Sequence, residues 1–225
     1  MSAGREPVIT IDGPAGAGKT TAARALAQRL GFRLLDTGAM YRAIAWSVAR
    51  AGLGAEDTPE LRRHLAALVL EVDDERVRVD GEDVTEALRT PAISALTSRL
   101  SALPVVRAKV VPLQRELARR GGVVLEGRDT GTVVCPDAEV KFYLDAELGE
   151  RARRRLAELR SRGIAADFET VLAEIRARDT QDATRALAPL QRATDAVAID
   201  TTALTVEQVV ERMLRVIEAR CCTRS

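Results

Sequence analysis

The chain has 225 residues, with 34 basic and 33 acidic side chains and a net charge of +1. That length suits one compact unit with room for a small insert, and its core needs no disulfide or metal staple. The balanced charge argues against a nucleic-acid coat or polybasic membrane binder. Likewise Cys135, Cys221, Cys222 and the lone His64 cannot furnish a secreted disulfide framework or a structural zinc site.

No apolar run approaches the ~18 residues that suggest a membrane span, and Val8-Ile9-Thr10-Ile11 enters directly, with no signal-peptide core before it. A cytoplasmic protein without membrane or nucleic-acid partners is expected. Only Lys19, Lys109 and Lys141 are lysines among the basic residues, and asparagine is absent; the arginine excess reads as codon usage.

In chain order, Val8–Asp12 reads as a buried strand, followed by a glycine-rich turn and a helix over Thr20–Leu30. Phe32–Asp36 reads as a second strand and Tyr41–Ala51 as a helix. Leu68–Asp73 and Arg76–Asp80 then alternate apolar and polar around Asp73-Asp74-Glu75. Gly81-Glu82-Asp83-Val84 follows, so a small antiparallel meander is inserted at about residues 65–90. Val123–Glu126, Val140–Leu144 and Ala196–Asp200 are further strands. Between the last two, Arg151–Ile175 carries helical charge patterns around Arg162-Gly163-Ile164-Ala165-Ala166-Asp167, either a hinged lid or an ordinary surface hairpin. The final helix presents Val206, Val209, Val210, Met213, Leu214 and Ile217 on one face, opened by a Thr205/Gln208 capping box. Strands alternating with helices imply an α/β fold with a parallel sheet covered on both faces.

Gly13-Pro14-Ala15-Gly16-Ala17-Gly18-Lys19-Thr20 satisfies G-x-x-x-x-G-K-[ST] between a strand and a helix, the context that makes it a P-loop. Backbone N–H groups of such a loop wrap phosphates, Lys19 reaches the β- and γ-phosphates, and the Thr20 hydroxyl serves Mg²⁺; Thr21 follows in the same stretch. ATP binding with Mg²⁺ is therefore expected. A chain without asparagine cannot carry the N-K-x-D stretch that reads guanine, and a motor or ATPase would need more chain. A small kinase fits. If its acceptor is itself a phosphate, two polyanions must meet, which calls for several converging arginines.

Three further blocks stand in order after the P-loop: Leu35-Asp36-Thr37-Gly38-Ala39-Met40-Tyr41-Arg42; Glu126-Gly127-Arg128-Asp129-Thr130-Gly131-Thr132-Val133-Val134-Cys135-Pro136-Asp137-Ala138; and Arg178-Asp179-Thr180-Gln181-Asp182-Ala183-Thr184-Arg185-Ala186-Leu187-Ala188-Pro189-Leu190. Together they closely resemble the bacterial cytidylate (CMP) kinases, from about Val8 to the last helix. The resemblance implies a P-loop kinase fold with a five-stranded parallel sheet flanked by helices, a small antiparallel β insert and a helical lid. It divides the single domain into a core (about 7–64, 91–150 and 176–220), an acceptor insert (65–90) and a lid (151–175). It implies phosphoryl transfer from ATP to CMP, with dCMP as second acceptor. A monomer is expected on other grounds, since no long exposed apolar stripe stands out beyond the core-facing helices. By position, Thr37, Arg42 and Arg128 would hold the acceptor phosphate. Ser98, Arg107, Asp129 and Arg185 would meet the cytosine, with Arg178 and Asp182 at the sugar. Lys19, Arg128, Arg178 and Arg185 would be catalytic. Tyr41 either packs or touches the ligand.

Some positions depart from that family's commonest pattern. Glu126 stands where many members have Asp, Thr130 and Cys135 take usually apolar packing positions, and Gln181 fills a variable, sometimes basic site. Of Arg151, Arg153, Arg154 and Arg155, one or two either reach the ATP phosphates or the whole run is a solvated face. His64 reads as surface or packing.

Overall fold

In the computed structural model, which describes residues 5–73, 76–88 and 90–221, the elements follow in chain order. They begin with β1 (Val8–Asp12), α1 (Lys19–Leu30), β2 (Arg33–Asp36), α2 (Thr37–Arg50) and α3 (Pro59–Ala67). Next come β3 (Leu70–Val72), β4 (Val77–Val79), β5 (Glu82–Asp83), α4 (Pro91–Leu100) and α5 (Pro104–Ala118). The chain ends with β6 (Val123–Gly127), β7 (Val140–Asp145), α6 (Leu148–Ser161), α7 (Phe168–Thr184), β8 (Val197–Asp200) and α8 (Val206–Cys221). A π-helical turn, Thr130–Val134, follows β6. Asp74, Glu75 and Cys222 of the sequence reading lie outside the described residues.

Five parallel strands form one sheet in the order β2-β6-β1-β7-β8. β1 is central and fully buried, in register with β6 (Val8↔Val123) and β7 (Ile9↔Val140). Alternate residues feed the two faces, as period-two geometry requires. Val123 and Leu125 join Met40, Ile44, Val106 and Val110 on one side. Val124, Ile9, Ile11 and Phe142 join Leu26 and Met213 on the other. β3, β4 and β5 make the expected antiparallel meander as a separate three-stranded sheet. α6 and α7 form a hairpin with its own small core of Ala152, Leu156, Leu159, Val171 and Ile175. No helix of the described residues is long and apolar enough to cross a membrane.

Most elements start or end a residue or more away from the expected bounds, and two of these shifts have a visible cause. Helix α2 starts at Thr37 rather than Tyr41, because the Asp36 side chain accepts from Ala39 N–H and caps it. β2 starts at Arg33, because Phe32 N–H is committed to Ala27 C=O, where α1 ends at a left-handed Gly31. Helices α3, α4 and α5 are not singled out by periodicity. Each begins with proline in its first turn, and Thr58 and Thr90 cap the first two.

Candidate active site

The C-terminal ends of the parallel strands open on one cleft of about 1760 Å³, as open α/β sheets do where the strand order reverses. β1 runs into the phosphate loop, whose glycines have steric causes. Gly13 sits at φ +148°, and a Cβ there would come within 1.9 Å of Leu144 C=O. Gly16 sits at φ +77°, with a would-be Cβ 2.9 Å from the Cβ of Arg151. Any side chain would push the loop off β7 and α6. Helix α1 then starts behind Gly18 with no side-chain cap and no acidic residue in its first turn, leaving its terminal N–H groups to an anion.

Lys19 is buried, and its Nζ donates to Pro14 C=O at 2.7 Å. Burial, then repulsion from Arg128, brings its pKa down to about 7. Thr20 Oγ1 donates to Glu126 Oε1 at 2.7 Å. The Glu126 carboxyl is pushed above its ordinary range, first by burial and next by Asp36, its neighbour in register on β2. A hydroxyl and two adjoining carboxylates, with oxygen donors only, suit a hard divalent cation completed by phosphate oxygens.

The other half of the cleft stands on α2, β6, α4 and α7. Thr37 Oγ1 donates to Glu126 C=O at 2.6 Å, and Arg42 pairs with Asp36 at 2.7 Å. Arg128 Nε pairs with Asp182 at 3.0 Å. Arg178 lies beside Arg128; burial first, and then that like charge, lower its pKa to about 10. Asp129 is held from both sides, by an ion pair with Arg107 and by Arg185 Nη2 at 3.4 Å. Arg185 is aimed by its Nε, which donates to Ala188 C=O at 2.6 Å. Ser98 Oγ donates to Gln181 Oε1 at 2.8 Å. Tyr41 packs its ring 5.9 Å from the Arg107 guanidinium carbon, and burial pushes its hydroxyl up to about 12. That hydroxyl has no hydrogen-bond partner among the described residues.

Ala15 to Thr21, Thr37, Tyr41, Arg42, Ser98, Arg128, Asp129, Arg178, Asp182 and Arg185 all line this cleft. Gly13, Pro14 and Arg107 do not; Arg107 stands behind the wall, reaching Asp129 and Ser101 C=O.

Asp12 and Asp36 shape the site although neither is a candidate from the sequence, and the arginines at 151–155 take separate places. Buried Asp12 accepts from Thr130 N–H (2.9 Å), Thr130 Oγ1 (2.8 Å) and Gly131 N–H (2.8 Å). It ties the strand before the phosphate loop to the turn after Arg128-Asp129, and Thr130 therefore does more than pack. Arg151 donates to Ala146 C=O at 2.9 Å, Ala15 C=O at 3.1 Å and Asp179 at 2.5 Å. Arg154 donates to Thr201 Oγ1 at 3.0 Å and Thr201 C=O at 2.6 Å. Arg155 pairs with Glu158 on the cleft wall, and only Arg153, exposed and paired with Glu150, fits a solvated face. His64 Nε2 meets Ser47 Oγ at 2.7 Å, tying α3 to α2. Asp36 carries a local signal of its own, since an Asp just before a helical run marks a helix start.

A parallel α/β sheet whose phosphate loop faces an arginine-lined second subsite defines a P-loop phosphotransferase. Its backbone superposes on shikimate kinase from Acinetobacter baumannii with a TM-score of 0.51 at 18% identity, covering 95% of this chain and 94% of that one. That likeness shows the fold alone. The family model for cytidylate kinase matches residues 9–219. A cytidylate kinase of Syntrophotalea carbinolica is 50% identical over 96% of this chain and 94% of its own length. One of Pelotomaculum thermopropionicum is 51% identical over 95% and 96%. The chain belongs to the cytidylate kinase family.

Proposed function

We propose that the chain transfers the γ-phosphoryl group of ATP to CMP, giving ADP and CDP, and that dCMP is a second acceptor. The observation that carries this is Asp129, a buried carboxylate held by two arginines on the wall of the cleft that the phosphate loop opens. Cytosine offers an exocyclic amine for that carboxylate to accept from; uracil would present a carbonyl and leave the carboxylate unpaired.

The acceptor phosphate is ionised near neutral pH, so no general base is needed, and catalysis consists of positioning and charge neutralisation. Gly13 to Thr21 wrap the ATP phosphates, with Lys19 released from Pro14 C=O to meet them. Thr37, Arg42 and Arg128 hold the acceptor phosphate, and Arg178 and Asp182 adjoin the sugar. Thr20, with Glu126, would hold Mg²⁺, which when bound neutralises phosphate oxygens. The α6–α7 hairpin acts as the lid and the β3–β5 meander as the acceptor insert, which together exclude water. Both subsites come from one chain, so a monomer suffices.

Acceptor-dependent ADP release with CMP, dCMP, UMP, AMP and GMP tests the reading. CMP and dCMP should lead, and Lys19→Met should lower turnover by at least about 100-fold while the fold persists. ATP binding without acceptor-dependent ADP release would instead mark a non-catalytic module, and a UMP preference a different kinase.

A further inference from the structure

Ser98, on α4, and Gln181, on α7, are 83 residues apart and meet at the cleft wall, where Ser98 Oγ donates to Gln181 Oε1 at 2.8 Å. The same end of α4 is tied toward Asp129. Ser101 Oγ donates to Ser98 C=O at 3.1 Å, and Arg107 joins Ser101 C=O to the Asp129 carboxylate. Ser98 is buried, so water does not readily replace a missing partner.

A serine hydroxyl carries one proton and two lone pairs. With its proton committed to Gln181, Ser98 can meet a base only as an acceptor. Asp129 is an acceptor as well, so the two groups together match the two protons of one exocyclic amine. We infer that Gln181 is a positioning residue for base selectivity: by taking the Ser98 proton it fixes that hydroxyl as an acceptor and favours cytosine over uracil. Without an acceptor at position 181 the hydroxyl rotates, donates to a carbonyl in the base, and uracil loses part of its disadvantage. The inference rests on the proposed placement of Ser98 and Asp129 at the base.

The side chain at position 181 allows a direct test, because an amide can accept or donate, a carboxylate only accepts, and a thioether does neither well. Steady-state kcat and KM for CMP and for UMP, at saturating ATP, are measured for the wild-type protein and for Gln181→Glu, Gln181→Met and Ser98→Ala. The quantity read is the ratio of the two kcat/KM values, which cancels any equal slowing of both acceptors by the added charge of Glu. Gln181→Glu should keep the ratio within about twofold, whereas Gln181→Met should lower it on the order of tenfold, chiefly through KM. Ser98→Ala should lower it comparably.

An unchanged ratio in Gln181→Met, with Ser98→Ala lowering it, overturns the role of Gln181 alone. So does an equal loss in Gln181→Glu and Gln181→Met. A merely structural role of Gln181 would slow both acceptors and leave the ratio unmoved, which is the same negative result. A ratio unmoved by Ser98→Ala removes Ser98 from the base and the inference with it. A wild-type protein with no preference for CMP overturns the proposed function itself and, with it, this inference.

Discussion

Lys19, the proposed phosphate-binding cation, is held by contacts within the protein. It is buried against Pro14 C=O, with Arg128 and Arg178 repelling its charge, and its pKa falls to about 7. At pH 6 the amine is already protonated; at pH 8 most of it is neutral. Phosphates placed beside it favour the charged form, so binding raises the pKa toward the ordinary lysine value. ATP binding should therefore take up a proton above pH 7 and weaken as pH rises further. Calorimetric titration at pH 8 in two buffers of different ionisation heat should show uptake approaching about one proton per ATP, and little at pH 6. Lys19→Arg, charged throughout, should abolish the uptake. Equal heats in both buffers at pH 8 would contradict the depressed pKa.

At the scale of elements, single buried side chains lock neighbouring segments together. Asp12 joins β1 to the turn that follows Asp129, and Arg151 joins the phosphate loop to α7 through Ala15 C=O and Asp179. Arg151→Met keeps much of the side-chain bulk, removes these bonds and leaves Asp179 without its partner charge. Because small misplacements of reacting groups are costly, kcat/KM for ATP should fall roughly 100-fold. Arg153→Met, on the solvated face of the same helix, should stay within about twofold. A comparable effect in both variants would show that the helix, rather than the Arg151 contacts, matters. Local signals made the phosphate loop and the parallel strands legible in the sequence, since a glycine pattern after an apolar run needs only a short window. The start of α2 was obscured because Asp36 both ends a strand and caps a helix. Periodicity does not single out α3, α4 and α5, and their prolines, with the Thr58 and Thr90 caps of the first two, mark only their starts. The pairings Ser98–Gln181, Asp12–Thr130 and Arg151–Ala15 span 83, 118 and 136 residues. No window of sequence contains them; the sheet order and the packing of α4 on α7 bring them together.

At the scale of the whole molecule, the fold gathers cations, and the carboxylates that hold them, at one cleft. Lys19, Arg42, Arg128, Arg178 and Arg185 come from distant parts of the chain to one cleft. Asp36, Asp182 and Asp129 pair with Arg42, Arg128 and Arg185, holding those guanidinium groups in place before any phosphate arrives. If donor and acceptor subsites are two ends of one cleft, a ligand spanning both gains from each without a second loss of translational freedom. Adenosine and cytidine joined by a chain of phosphates should therefore bind more tightly than ATP and CMP supplied together. At about 100 times its Kd such a ligand contributes roughly 2.7 kcal/mol, a rise in Tm of roughly 5–10 °C for a domain of this size. Thermal unfolding with the linked ligand, with ATP alone, with ATP plus CMP, and with the linked ligand added to Lys19→Met separates the possibilities. The linked ligand should give the largest shift in the wild-type protein and a smaller one in Lys19→Met. A shift no larger than that of ATP alone would mean that the arginine-lined half of the cleft does not receive the acceptor.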